Sequence, residues 1–87
     1  MNPNDRYQIC GNVSGLICTV PTRAEAFKVG TKHATSEDGE GFDIGAHDCP
    51  IEVFDCLARI GQPELWRYDD DSQTWRVIAI RKDEAHQ

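Results

Sequence analysis

The stretch Pro63–Ile80, PELWRYDDDSQTWRVIAI, constrains this chain more than any other. Two runs rich in β-branched and aromatic residues, Glu64–Tyr68 and Thr74–Ile80, flank the polar turn Asp69-Asp70-Asp71-Ser72-Gln73. That pattern predicts a β-hairpin. With Trp66 opposite Val77 and Tyr68 opposite Trp75, strand alternation puts Trp66, Tyr68, Trp75, Val77 and Ala79 on one face. Leu65, Arg67, Arg76, Ile78 and Ile80 fall on the other, so both faces are substantially apolar. A hairpin is marginal in water by itself, and the rest of the chain has to cover at least one of these faces.

The material for doing so is limited. Eighty-seven residues form one domain, residues 1–87, with 1–6 and 82–87 expected as frayed ends. A chain of this size buries only about 60–65% of its unfolded surface. Its seven aromatic residues therefore carry much of the core, each removing roughly 150–250 Å² from water when buried.

Tyr7–Val20, YQICGNVSGLICTV, predicts a second hairpin. A two-residue Ser14-Gly15 loop places Tyr7, Ile9, Gly11 and Val13 on one face with Leu16, Cys18 and Val20 opposite them. A three-residue Val13-Ser14-Gly15 loop mixes apolar and polar residues on both faces, so the pattern favours the first register. Glycine in the turn supplies positive φ at little steric cost.

A helix then begins after Pro21. Thr22 and Glu25 form a capping box, and Ala26, Phe27, Gly30 and Ala34 lie along one narrow stripe, away from Arg23, Lys28 and Lys32. Gly30 costs roughly 1 kcal/mol against Ala in a helix interior and marks a close approach to the sheet. Ser36–Pro50, SEDGEGFDIGAHDCP, reads as a loop anchored by Phe42 and Ile44, with room for a short strand at Gly41–Ile44. Ile51–Ala58 is read as a strand from its β-branched and aromatic start after Pro50, although a helix over Ile51–Ile60 also fits its spacing. Arg81–Gln87 is a polar tail. The expected fold is α+β, a small antiparallel sheet in the order β-β-α-β-β-β with one helix packed on one face.

The formal charge is −6, and its distribution matters more than its size. Residues 1–36 hold four bases and two acids, whereas Glu37, Asp38, Glu40, Asp43, Asp48, Glu52 and Asp55 occur without any Lys or Arg among them. This balance argues against direct nucleic-acid binding, which draws its affinity from cations on phosphates. A solvated acidic loop is the simplest reading of the run. An acidic inhibitor imitating nucleic acid, of the kind a phage or mobile element encodes, is the alternative. No signal peptide, membrane span or lipidation motif is present, so a cytoplasmic protein with four reduced thiols is expected.

Catalytic and metal chemistry find little support in the spacing. Cys10 and Cys18 are separated too widely for a zinc knuckle, as are Cys49 and Cys56, since structural zinc pairs usually follow C-x(2–4)-C. On the hairpin Cys10 and Cys18 point to opposite faces, which prevents a mutual disulfide or shared metal. The set His47, Cys49 and Cys56, with His33, is the weak metal or small-ligand candidate. No cysteine opens the helix, and the acids around Cys49 raise rather than lower a thiol pKa, so no nucleophile is assigned. Asp38–Asp43 departs from the EF-hand pattern, and Asp69-Asp70-Asp71 reads as a soluble hairpin tip.

Leu57–Asp69, LARIGQPELWRYD, resembles a short segment common in a large bacterial family of restriction-endonuclease-like proteins. The resemblance implies an upstream acidic strand and a lysine in a nuclease motif. No Lys lies between Lys32 and Lys82, and no catalytic residue is carried across.

The functional expectation is a non-enzymatic binding or assembly module without cofactor, acting on a protein partner or on a second copy of itself, away from nucleic acid and membrane. Trp66, Tyr68, Trp75, Arg67 and Arg76 are the candidate contact residues, because Tyr, Trp and Arg dominate binding hot spots. A loop Ser36–Pro50 folded over the second sheet face is the competing expectation.

Overall fold

The computed structural model describes residues 5–36 and 48–82. Their elements follow the expected order: β1 (Tyr7–Gly11), β2 (Gly15–Val20), α1 (Arg23–Ala34), β3 (Glu52–Asp55), β4 (Pro63–Asp69) and β5 (Thr74–Ile80). The strands form one five-stranded sheet in the spatial order β2-β1-β3-β4-β5, and every neighbouring pair is antiparallel. β2 and β3 consequently run parallel on either side of β1. A parallel return needs a crossover connection, and α1 lies in it, over β1 to β4 on one face of the sheet. No helix among the described residues is long and apolar enough to cross a membrane.

α1 starts where the capping signal places it. The Thr22 hydroxyl accepts from the Glu25 N–H at 3.2 Å and satisfies one of the otherwise orphan donors of the first turn. Ala26, Gly30 and Ala34 are buried against the sheet, and Phe27 packs on the same core. A stripe this narrow leaves a gap beneath the helix that large aromatics fill. Trp75 lies so close to Gly30 that a Cβ there would come within 2.6 Å of its indole. The indole stacks on Phe27 with ring centres 4.9 Å apart and donates to Thr31 Oγ1 at 3.0 Å.

The register of the β4–β5 hairpin is the expected one, with Trp66 opposite Val77 and Tyr68 opposite Trp75. A bulge then brings Ala79 opposite Leu65, so Ala79 leaves the expected aromatic row. The β1–β2 hairpin keeps its expected faces at the open end, where Tyr7 pairs with Val20 and Ile9 with Cys18. Its turn differs. Gly11 pairs with Gly15, so Asn12-Val13-Ser14 forms the loop, and a bulge between the pairs Ile9–Cys18 and Cys10–Leu16 shifts the strands. Val13 and Leu16, expected on the apolar face, are therefore exposed at 77% and 56%, while Ile17 packs on the core instead. Gly15 does adopt the positive φ, 71°, that its position required.

The 51–58 segment is a strand and not a helix, but only over Glu52–Asp55. Asp55 ends it: its Oδ1 accepts from the Leu57 N–H at 3.0 Å, bending the chain away. Asp55 also holds Arg6 in a two-pronged ion pair at 2.7 and 2.9 Å, which fastens Arg6, expected in a frayed end, to the middle of the sheet. Arg81, expected in the tail, is likewise tied by its Nη1 to the Ala58 carbonyl and by backbone bonds to Gly61 and Gln62. Phe42, Ile44 and the Gly41–Ile44 strand lie outside the described residues.

Candidate protein-contact surface

Alternation along the strands decides which side chains meet the helix. Tyr7, Ile9, Val53, Trp66 and Tyr68 point towards α1 and, with Ile51, form the buried core. Trp66 and Tyr68 are each 5% exposed, enclosed by ring contacts to Tyr7, Phe27 and Trp75. This corrects the expected contact set. The sequence grouped Trp66, Tyr68 and Trp75 with Arg67 and Arg76 as partner-binding, but Trp66 and Tyr68 belong to the core, and Trp75 is half-buried against it. The narrow helix demands them there.

Arg67 and Arg76 remain on the surface, directly opposite each other on the side away from the helix. Each is already paired. Arg67 reaches Glu52 Oε2 at 3.0 Å, and Arg76 reaches Asp69 Oδ2 at 2.9 Å. Beside this charged row runs an apolar one, in which Phe54 faces Leu65 across β3 and β4, and Leu65 faces Ala79 across β4 and β5. Ile78 joins Arg67, Tyr68, Asp69 and Arg76 around a shallow hollow of about 280 Å³. A second hollow, about 420 Å³, opens beyond the end of β3 between Cys56, Leu57, Ala58, Arg59, Ile60 and Arg81.

Apolar exposure falls at Val13, Leu16, Leu57 and Ile60, in and beside the turns, and on three residues of the single strand β5. Val77, on the helix side but beyond the helix, is 48% exposed, Ile78 is 44% and Ile80 is 50%. Among the described residues β5 is also an edge strand, with β4 on one side. A long apolar edge is what proteins normally blunt or cover, because its free backbone groups are a template for another strand. Among the described residues of β5 the only charge is Arg76.

The other candidates resolve into structure. The Asp48 carboxylate lies against the β1–β2 turn, where Oδ1 accepts from the N–H groups of Val13 at 2.7 Å and Ser14 at 2.8 Å. Oδ2 meets His33 Nε2 at 2.7 Å, and the Asp48 carbonyl accepts from Asn12 N–H at 2.8 Å. Ser14, first through its backbone and then its hydroxyl, holds the Asp48 carboxyl well below the usual carboxylate range, with His33 and Val13 adding to the effect. A carboxylate that saturated with donors is a poor proton acceptor near neutral pH. It is a latch joining the end of α1 to the first turn. Sequence reasoning placed Asp48 in the acidic run and carried no signal for this contact.

Burial raises the thiol pKa of Cys10 and of Cys18, the opposite of what a nucleophile needs. Cys49 is half-buried and Cys56 exposed, His33 is engaged by Asp48, and His47 lies outside the described residues. Among the described residues no three His, Cys, Asp or Glu side chains gather as a metal site. Of the acidic run, Asp48 and Asp55 are buried, and Glu52 is paired with Arg67 on the surface away from the helix. Glu37, Asp38, Glu40 and Asp43 lie outside the described residues.

No family model, curated protein or solved structure matches this chain. None of these comparisons supports the resemblance of Leu57–Asp69 to restriction-endonuclease-like proteins; the segment comprises the turn after β3 and the whole of β4.

Proposed function

We propose that this chain is a non-catalytic assembly module that acts by protein–protein contact, with a second copy of itself as partner. The contact is made through β5 and the helix-free sheet surface beside it. The observation that carries this reading is the exposure of Val77, Ile78 and Ile80 on an edge strand that the single helix does not reach across. Exposed apolar area concentrated in one place marks an interface more often than it marks a free surface.

Light scattering across protein concentrations from the low micromolar range upwards tests the proposal. The wild-type chain is expected to pass from monomer to dimer. Val77→Lys with Ile78→Lys, which place charge on both sides of the edge, should hold it as a folded monomer. A wild-type chain that stays monomeric throughout removes the reading.

A further inference from the structure

The backbone of β5 defines how a second copy would dock, an inference that rests on the self-association proposed above. Tyr68 N–H bonds to the Ile51 carbonyl and so points towards β3. Successive residues of a strand direct their backbone groups to opposite sides, so Arg67 points to β5 and forms the hydrogen-bonded pair with Arg76. Trp75 and Val77, one residue to either side of Arg76, therefore turn their N–H and C=O outward from the sheet edge.

We infer that two copies join edge to edge through antiparallel β5 strands, related by a two-fold axis at Arg76, in one continuous ten-stranded sheet. Trp75 of each copy exchanges both backbone hydrogen bonds with Val77 of the other. This register covers the Val77 side chain with the Trp75 region of the second copy, extending the aromatic row of the core across the junction. It also brings the hairpin tip of one copy, with exposed Asp70 and Asp71, alongside the end of β5 in the other, where Arg81 and Lys82 are exposed. The opposite charges meet twice, once at each end of the junction. The two Arg76 side chains face each other at the axis, and each keeps its own Asp69 counter-ion at 2.9 Å. β2, the other edge, carries no charged side chain over Gly15–Val20.

Non-hydrogen-bonded antiparallel partners have Cα atoms about 4.5 Å apart, inside the span of roughly 4.4–6.8 Å that a disulfide accepts. Arg76→Cys in a Cys56→Ser background should therefore form a disulfide-linked dimer rapidly with oxidised glutathione. Ile78→Cys, on the same strand but facing Thr74 of the second copy, should not. Phe54→Asp, two strands from the edge, should leave the light-scattering dimer intact. A dimer by scattering that Arg76→Cys fails to cross-link, or that Phe54→Asp abolishes, overturns the edge register while leaving self-association through the open face standing. A monomer at all concentrations overturns both.

Discussion

Asp48 shows how much a single side chain decides in a domain with so small a core. It fills the space above Gly11, where a Cβ would overlap its carboxylate, and accepts from two turn N–H groups. Asp48→Asn replaces an acceptor with a donor against either these N–H groups or His33, and is expected to lower the urea midpoint at neutral pH. The pH dependence has a definite sign. The folded pKa of Asp48 is depressed, so its contribution is fully present above the unfolded value of about 3.9. It is lost as pH falls from there through the folded value. The difference in urea midpoint between wild type and Asp48→Asn should therefore narrow steadily below about pH 4; a difference that is constant from pH 7 to pH 2 would contradict the latch. Gly30 is decided equally locally. Alanine is favoured in a helix by roughly 1 kcal/mol, yet a Cβ here meets Trp75 at 2.6 Å. The indole cannot retreat without leaving Phe27 and the Thr31 hydroxyl, and overpacking costs about 1–3 kcal/mol. Gly30→Ala is expected to destabilise by about 1 kcal/mol in chemical denaturation, with a changed tryptophan emission in the folded state. A stabilised variant would show that the ring has somewhere to go.

At the scale of elements, the two hairpins separate what neighbouring residues specify from what distant ones do. The register of β4 and β5 was legible because Trp66, Tyr68, Trp75 and Val77 alternate cleanly on both sides of a short polar turn, so local pattern and tertiary packing agree. The helix was legible for the same reason, from Thr22, Glu25 and the small-residue stripe. The β1–β2 turn was not, since its register is fixed by Asp48, 35 residues from Val13 in sequence, and no local pattern reports such a contact. The aromatic contact residues were misplaced for a related reason: hot-spot composition and core composition are the same for Trp and Tyr, and only the width of the helix decides between them. These assignments separate experimentally. Val13→Ser in the turn and Leu16→Ser in the strand beside it, both at exposed positions, should each change stability by less than about 0.5 kcal/mol. Ile9→Ala, fully buried on the same hairpin, should cost about 2–5 kcal/mol. Equal costs at Leu16 and Ile9 in urea titrations would instead restore the two-residue Ser14-Gly15 loop.

For the whole molecule the balance of buried and exposed apolar residues couples stability to association. The largest fully buried side chains are Ile9, Ile51 and Val53, while Phe54, Val77, Ile78 and Ile80 are exposed by between 38% and 50%. Among the described residues one helix packs on one face of the five-stranded sheet, and the margin it leaves falls at β5, the strand farthest from the crossover. A partner that binds only the folded chain stabilises it by mass action. When that partner is the chain itself, the midpoint of thermal unfolding must rise with protein concentration. For a domain of this size 1 kcal/mol corresponds to about 4–8 °C, so a hundredfold rise through the dissociation constant should lift the midpoint by roughly 5–10 °C. The paired substitutions Val77→Lys and Ile78→Lys should abolish the concentration dependence and bring the midpoint to the value wild type reaches at high dilution, because neither side chain belongs to the core of the single chain. Calorimetry at several concentrations measures both quantities together. A wild-type midpoint independent of concentration, at concentrations where scattering shows dimer, would mean that the association does not draw on the folded edge at all.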